Sequence, residues 1–214
     1  MVPREACAAD GPAAAGECAG GAQGALAAGG REERDVAFPG GLDVDAVQLE
    51  ALSKAELVEL VRAFAKNVVA LDGVWFQSLE REEGMDVAMH HNDEAWKRFP
   101  ASDARRLKKF LGLGEHPGLE GLAAALPYKF NSIANHYDLA WKDGALVYRV
   151  LDCRVQTART RKGMPLHPCK QTGACEFRSF CSAIDDRIVS ECVSCYPDLT
   201  DGSCSCSWKF TVAE

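Results

Sequence analysis

The sequence predicts an α+β protein, with an N-terminal helical half packed with a small antiparallel sheet that carries a cysteine-rich C-terminal half. Three observations predict this class. Apolar residues recur at helical spacing from residue 54 onward, the period shortens to two residues on either side of Asp143-Gly144, and eight of the ten cysteines lie beyond residue 150.

The 214 residues divide by composition. Residues 1–42 are rich in Ala and Gly and too poor in large apolar side chains to offset chain entropy, so they are expected to be a disordered leader. Residues 43–214 are expected to form a single α+β domain, with a helical half over 43–127 and a cysteine-rich half over 128–214. The leader lacks the apolar core of a secretion signal and carries Glu5, Asp10 and Glu17. A cytoplasmic, reducing location is therefore expected, and disulfides are the less favoured use of the cysteines. A net charge of −7 argues against general nucleic-acid binding, and no apolar run reaches the length that spans a bilayer.

Ser53 and Glu56 have the S-x-x-E spacing of a capping box. Leu57, Leu60, Val61, Phe64, Val68, Leu71, Trp75 and Leu79 then predict one amphipathic helix from about Lys54 to Glu83, stopped by Gly84. Its stripe reads as core-facing; left exposed on the folded surface, it would instead mark a docking helix. A second helix holds Met85, Met89, Trp96 and Phe99 and is expected to end at Pro100. Ser102 or Asp103 is expected to cap a third, and a fourth begins near Gly118 and is broken by Pro127. Asp143-Gly144 predicts a tight hairpin whose second strand ends near Cys153. A helix follows Pro168, a strand runs from about Arg187 to Cys195, and in the last strand Cys204, Cys206, Trp208, Phe210 and Val212 are expected to share a face.

The cysteines carry the chemistry. Cys192-x-x-Cys195 can grip one metal if a tight turn points both sulfurs inward. Cys153 at a strand end and Cys169 at a helix start supply two further thiolates, with Cys206 as a possible addition. The set Cys153, Cys169, Cys192 and Cys195 could hold zinc or an iron–sulfur cluster. Two other uses remain open, packed apolar thiols and redox or nucleophilic chemistry. Cys169 is the candidate catalytic thiol, because a helix N-terminus with His167 and Lys170 nearby favours a thiolate. Cys175 and Cys181, within the helix, read as packed.

From Cys153 to Cys175 there is no acid, while Arg154, Arg159 and Arg161 are present. These arginines could anchor a small anionic ligand. The plainer alternative is a solvated loop whose charges pair with the acidic helical half. Asp72, an acid within an apolar helix, is a pocket candidate. His90 and His91 diverge around their helix and read as surface or core-edge, and His136 and Tyr137 read as structural. The chain has no P-loop, dinucleotide-binding glycine fingerprint, H-E-x-x-H or G-x-S-x-G.

At LDGVWFQSLEREEGMDVA, ARRLKKFLGL, DCRVQTARTRKGMPLHPCK, IDDRIVSECVSCYPD and the closing CSWKF, the chain resembles a family of uncharacterised proteins found in anaerobic bacteria and archaea. The likeness covers roughly residues 45 to 214. Cys153, Cys169, Cys192, Cys195 and Cys206 and the basic segment Arg154 to Lys162 belong to it. More distantly, the tail resembles the aminothiazoline-carboxylate hydrolase-like proteins and the 4-vinyl reductase-like small-molecule-binding domain, through a helix carrying Cys181 and Asp185 followed by a hairpin closing on Cys206-x-Trp208. That resemblance implies an α+β ligand-binding fold with helices against an antiparallel sheet. Together these observations favour a metal- or iron–sulfur-binding protein, with a small-molecule hydrolase or reductase as the alternative.

Overall fold

The structure, a computed structural model, describes residues 49–213. The expected leader over 1–42 lies outside the described residues. The chain divides into two compact units at Leu57/Val58. In the first, a 3-10 turn at Leu49–Ala51 precedes the start of α1 (Lys54–Glu83). The capping box is formed: Ser53 N–H and Oγ–H both donate to Glu56 Oε2, at 2.8 and 2.7 Å, and Glu56 N–H donates to Ser53 Oγ. The second unit holds the rest of α1 and every other element.

Gly84, at φ +88°, turns the chain from α1 into α2 (Met85–Phe110). The sequence placed a helix end at Pro100 and a new cap at Ser102 or Asp103; instead α2 runs through both. Ala88, Met89, Asn92 and Asp93 are buried before the proline and Ala104 after it. Packing along the whole helix thus outweighs a local proline cost of about 3 kcal/mol. Then come α3 (Gly118–Ala125), a 3-10 turn at Leu126–Tyr128 containing Pro127, and α4 (Phe130–Ala134).

The expected hairpin is β1 (His136–Lys142) and β2 (Ala145–Asp152), with positive φ at both Asp143 and Gly144 as a primed turn requires. The basic segment forms a helix of its own, α5 (Arg154–Arg161), which its lack of apolar periodicity concealed. α6 (Cys169–Ile184) leads into β3 (Ile188–Cys195) and β4 (Cys206–Val212). The sheet is antiparallel with order β1-β2-β4-β3. Cys204 precedes β4 rather than sharing its face, and its thiol lies 3.5 Å from Asp201 Oδ2.

α6 packs against both the sheet and α2. Its Phe177, Phe180, Cys181 and Ile184 join Leu122, Leu126, Leu146, Tyr148, Trp208 and Phe210 in the core. Gly173 permits a close approach to the sheet, since a Cβ there would stand 2.5 Å from Trp208 Cζ2. The stripe on α1 departs from expectation. Of that helix only Ala65 and Phe76 are buried, and Val61, Phe64, Val68, Leu71 and Trp75 face water. No described helix is long and apolar enough to cross a membrane.

Candidate functional site

A cavity of about 150 Å³ opens within the second unit, between α1, α2, α5, α6 and the sheet. This is enough for a guest of roughly benzene size. One wall is sulfur. Cys153 caps α5 just past β2, Cys169 is the first residue of α6, Cys195 ends β3 and Cys206 begins β4, and all four line the cavity. Cys195 and Cys206 face each other across the ladder. Cys192 does not line the cavity but adjoins Cys195, with which it hydrogen-bonds.

The C-x-x-C pair lies in a strand, not in the expected tight turn. Residues three apart on a regular strand point to opposite faces. A register shift between Cys192 and Ser194 resets the alternation, and both cysteines pack toward the core.

Burial pushes the Cys153 thiol up and the Cys169 thiol well up, the latter further raised by the neighbouring Cys153 and Cys206. Burial thus opposes the thiolate that the helix position of Cys169 favours. Its sulfur lies 3.2 Å from Gln156 Nε2 and 3.3 Å from His167 Nδ1. The Gln156 amide also accepts from His167 N–H and donates to His167 C=O, tying α5 to the segment before α6. The hydrogen bond between Cys195 and Cys206 raises the Cys195 thiol and lowers that of Cys206, which the Trp208 side chain lowers further.

The opposite walls are polar and aromatic. Lys129 is 1% exposed; its Nζ lies 3.1 Å from Glu176 Oε1 and 3.9 Å from the centre of the Phe180 ring. Asn131 donates to the same Glu176 oxygen. Asp72 lines the cavity as expected, its carboxyl raised by burial and steadied by a hydrogen bond to Trp96. Tyr148 Oη and Ser132 Oγ are 2.9 Å apart, and burial pushes the phenol up. The His167 ring packs against Phe76 in a tilted contact at 4.5 Å, and burial with the nearby Arg159 charge pushes it down to about 4, so it is neutral.

The three arginines part company. Arg154 and Arg161 are exposed on α5, whereas Arg159 is 2% exposed and lines the cavity. Its guanidinium grips Glu80 of α1 with two 2.7 Å bonds and also donates to Pro165 C=O. Lys162 donates to Gln77 of the same helix. Pairing with an acid of the helical half therefore describes Arg159, whereas Lys162 bonds a neutral amide and the segment is a helix with Arg159 buried, not a solvated loop.

Sequence reasoning missed Lys129, Glu176 and Gln156. Glu176 left a trace, an acid on the inward face of α6 between Thr172 and Phe180; Lys129 and Gln156 sit in no periodic context.

Among the described residues, one group of three metal-ligating side chains has its donor atoms within 4.8 Å of one another: His116, Asp185 and Asp186. Asp185 is already neutralised, accepting bonds from Arg187 Nε and Nη2 at 2.9 and 2.8 Å and from Gly118 N–H. It ties the end of α6 to the start of α3. Among the described residues, no three cysteine sulfurs come that close.

Fold and site thus define an α+β protein with a thiol-walled internal cavity. The model of a family of unknown function (DUF6125) matches residues 50–212, and the chain belongs to that family. A search of curated proteins found no match.

Proposed function

We propose that the protein is a small-molecule-binding module whose cavity carries a thiolate metal centre, an iron–sulfur cluster in preference to a single zinc ion. The observation that carries this reading is the convergence of Cys153, Cys169, Cys195 and Cys206, from four separate points of the chain, on one cavity. Burial and mutual repulsion disfavour the thiolate at Cys153 and Cys169, and a thiophilic cation reverses that balance by supplying the missing positive charge. A tetrahedral zinc site, with Zn–S near 2.3 Å, brings its sulfurs to within about 4 Å of each other. Among the described residues no three of the sulfurs lie within 4.8 Å of one another, and they surround a cavity of about 150 Å³, which favours a polynuclear centre. When bound, such a centre supplies a cross-link between β2, α6, β3 and β4 or one-electron chemistry beside the guest.

The polar walls bear on the guest. Asp72 has no cationic partner among the described residues, while Arg159 is occupied by Glu80. The cavity therefore favours a neutral or amine-bearing molecule over the small anionic ligand that the basic segment suggested. The enzyme alternative, a hydrolase or reductase with Cys169 as nucleophile and an arginine anchor, draws less from this geometry, since Cys169 is held protonated and Arg154 and Arg161 are exposed.

The test is metal and labile-sulfide analysis with a visible spectrum on protein prepared without oxygen. The expected result is a brown protein with iron and sulfide, lost in Cys169→Ser and Cys206→Ser and kept in Cys204→Ser. A colourless zinc protein would keep the thiolate centre and remove the cluster. Wild-type protein that takes up neither metal, even on reconstitution, overturns the proposal.

A further inference from the structure

α1 has two working faces. Asp72, Gly73, Phe76 and Gln77 line the cavity. Elsewhere around the helix, Val61, Phe64, Val68, Leu71 and Trp75 are 51, 60, 42, 72 and 47% exposed, flanked by Val58 and Val74. Their spacing is three, four, three and four residues. This is the seven-residue repeat of a helix that supercoils against a partner, with Val, Val and Trp at one seam position and Phe and Leu at the other. The charged Glu59, Arg62 and Lys66 fall on outer positions, clear of the seam.

We propose that this face is the contact between two copies of the chain. A stripe of this kind is self-complementary, so a two-fold axis lets each copy supply both sides of one interface. The area is sufficient. With side chains of this size presenting roughly 150–250 Å² when free, the seven residues leave on the order of 600–700 Å² in water per copy. A pair of copies then buries on the order of 1,300 Å², within the roughly 1,200–2,000 Å² of specific interfaces. A lipid surface fits less well. Amphipathic membrane helices turn a basic polar face to the headgroups, whereas α1 turns its other face to the cavity.

The test is sedimentation of the full chain over a wide dilution series, read against circular dichroism. Wild-type protein is expected at twice the chain mass, dissociating on dilution. Phe64→Glu with Leu71→Glu is expected to be monomeric with unchanged helicity, and Val189→Glu, at an exposed position of β3, to remain paired. Leu71→Ala removes only water-exposed methyl groups and cannot unfold the helix; it is expected to weaken association about tenfold. A wild-type monomer at every concentration overturns the proposal, whatever else covers the face, and so does a Phe64→Glu/Leu71→Glu variant that stays paired. Neither outcome depends on the cavity holding a metal.

Discussion

Asp103 sits inside α2, where sequence reasoning made it a candidate cap. Its Oδ2 is buried and accepts no hydrogen bond, and burial raises its carboxyl even with Lys129 and Arg106 nearby. A carboxyl whose folded pKa lies above its unfolded value binds its proton more tightly in the folded state. Its stability contribution is therefore greatest in acid and is lost as pH rises through the folded pKa. Asp103→Ala removes an unsatisfied group and improves helix propensity, so it is expected to stabilise the protein by about 1 kcal/mol at neutral pH. The gain should shrink toward pH 4; thermal melts across that range measure it. Glu80 is the opposite case, because it neutralises the nearly fully buried Arg159. Glu80→Gln leaves that guanidinium without its counter-charge and is expected to cost roughly 3 kcal/mol by urea denaturation. Glu80→Leu combined with Arg159→Met is expected to recover most of the loss.

Among the elements, α6 does most to build the site: it starts at Cys169, carries Glu176 on the cavity wall and lays Gly173 against Trp208. Trp208 is 2% exposed and its ring lies 4.8 Å from that of Phe177, so it has little room to retreat. Gly173→Ala is expected to cost about 1–3 kcal/mol through overpacking. Near-UV circular dichroism should report the displaced indole, and a change confined to far-UV helicity would contradict this account. α5 shows how an element escapes sequence reasoning. Its residues are mostly basic or polar, and what holds it is Arg159 reaching Glu80 and Thr157 bonding Asp152, contacts that leave no period in the sequence.

For the whole molecule, legibility follows the range of the forces involved. The α1 limits could be read because Ser53, Glu56 and Gly84 act within a turn of their targets, and the β1–β2 hairpin because Asp143-Gly144 sets its own geometry. Pro100 misled because its local cost is outweighed by packing spread over 26 residues. The sulfur wall was legible in part: Cys153, Cys169 and Cys195 reach the cavity, as does Cys206, which the sequence offered as a possible addition, while Cys192 packs toward the core without lining the cavity. The α1 stripe was visible as a period, but its direction was not, because spacing does not say whether a stripe meets the chain's own core or another molecule.

The two-sidedness of α1 has a thermodynamic consequence. A guest resting on Phe76 and Asp72 and a second copy resting on Leu71 and Trp75 would act on adjoining faces of one rigid rod, about 100° apart around it. If each steadies that rod, the two events close a cycle in which either raises the affinity for the other by the same factor. How full the cavity is would then depend on how concentrated the protein is, and dilution would empty it before any contact inside it had changed.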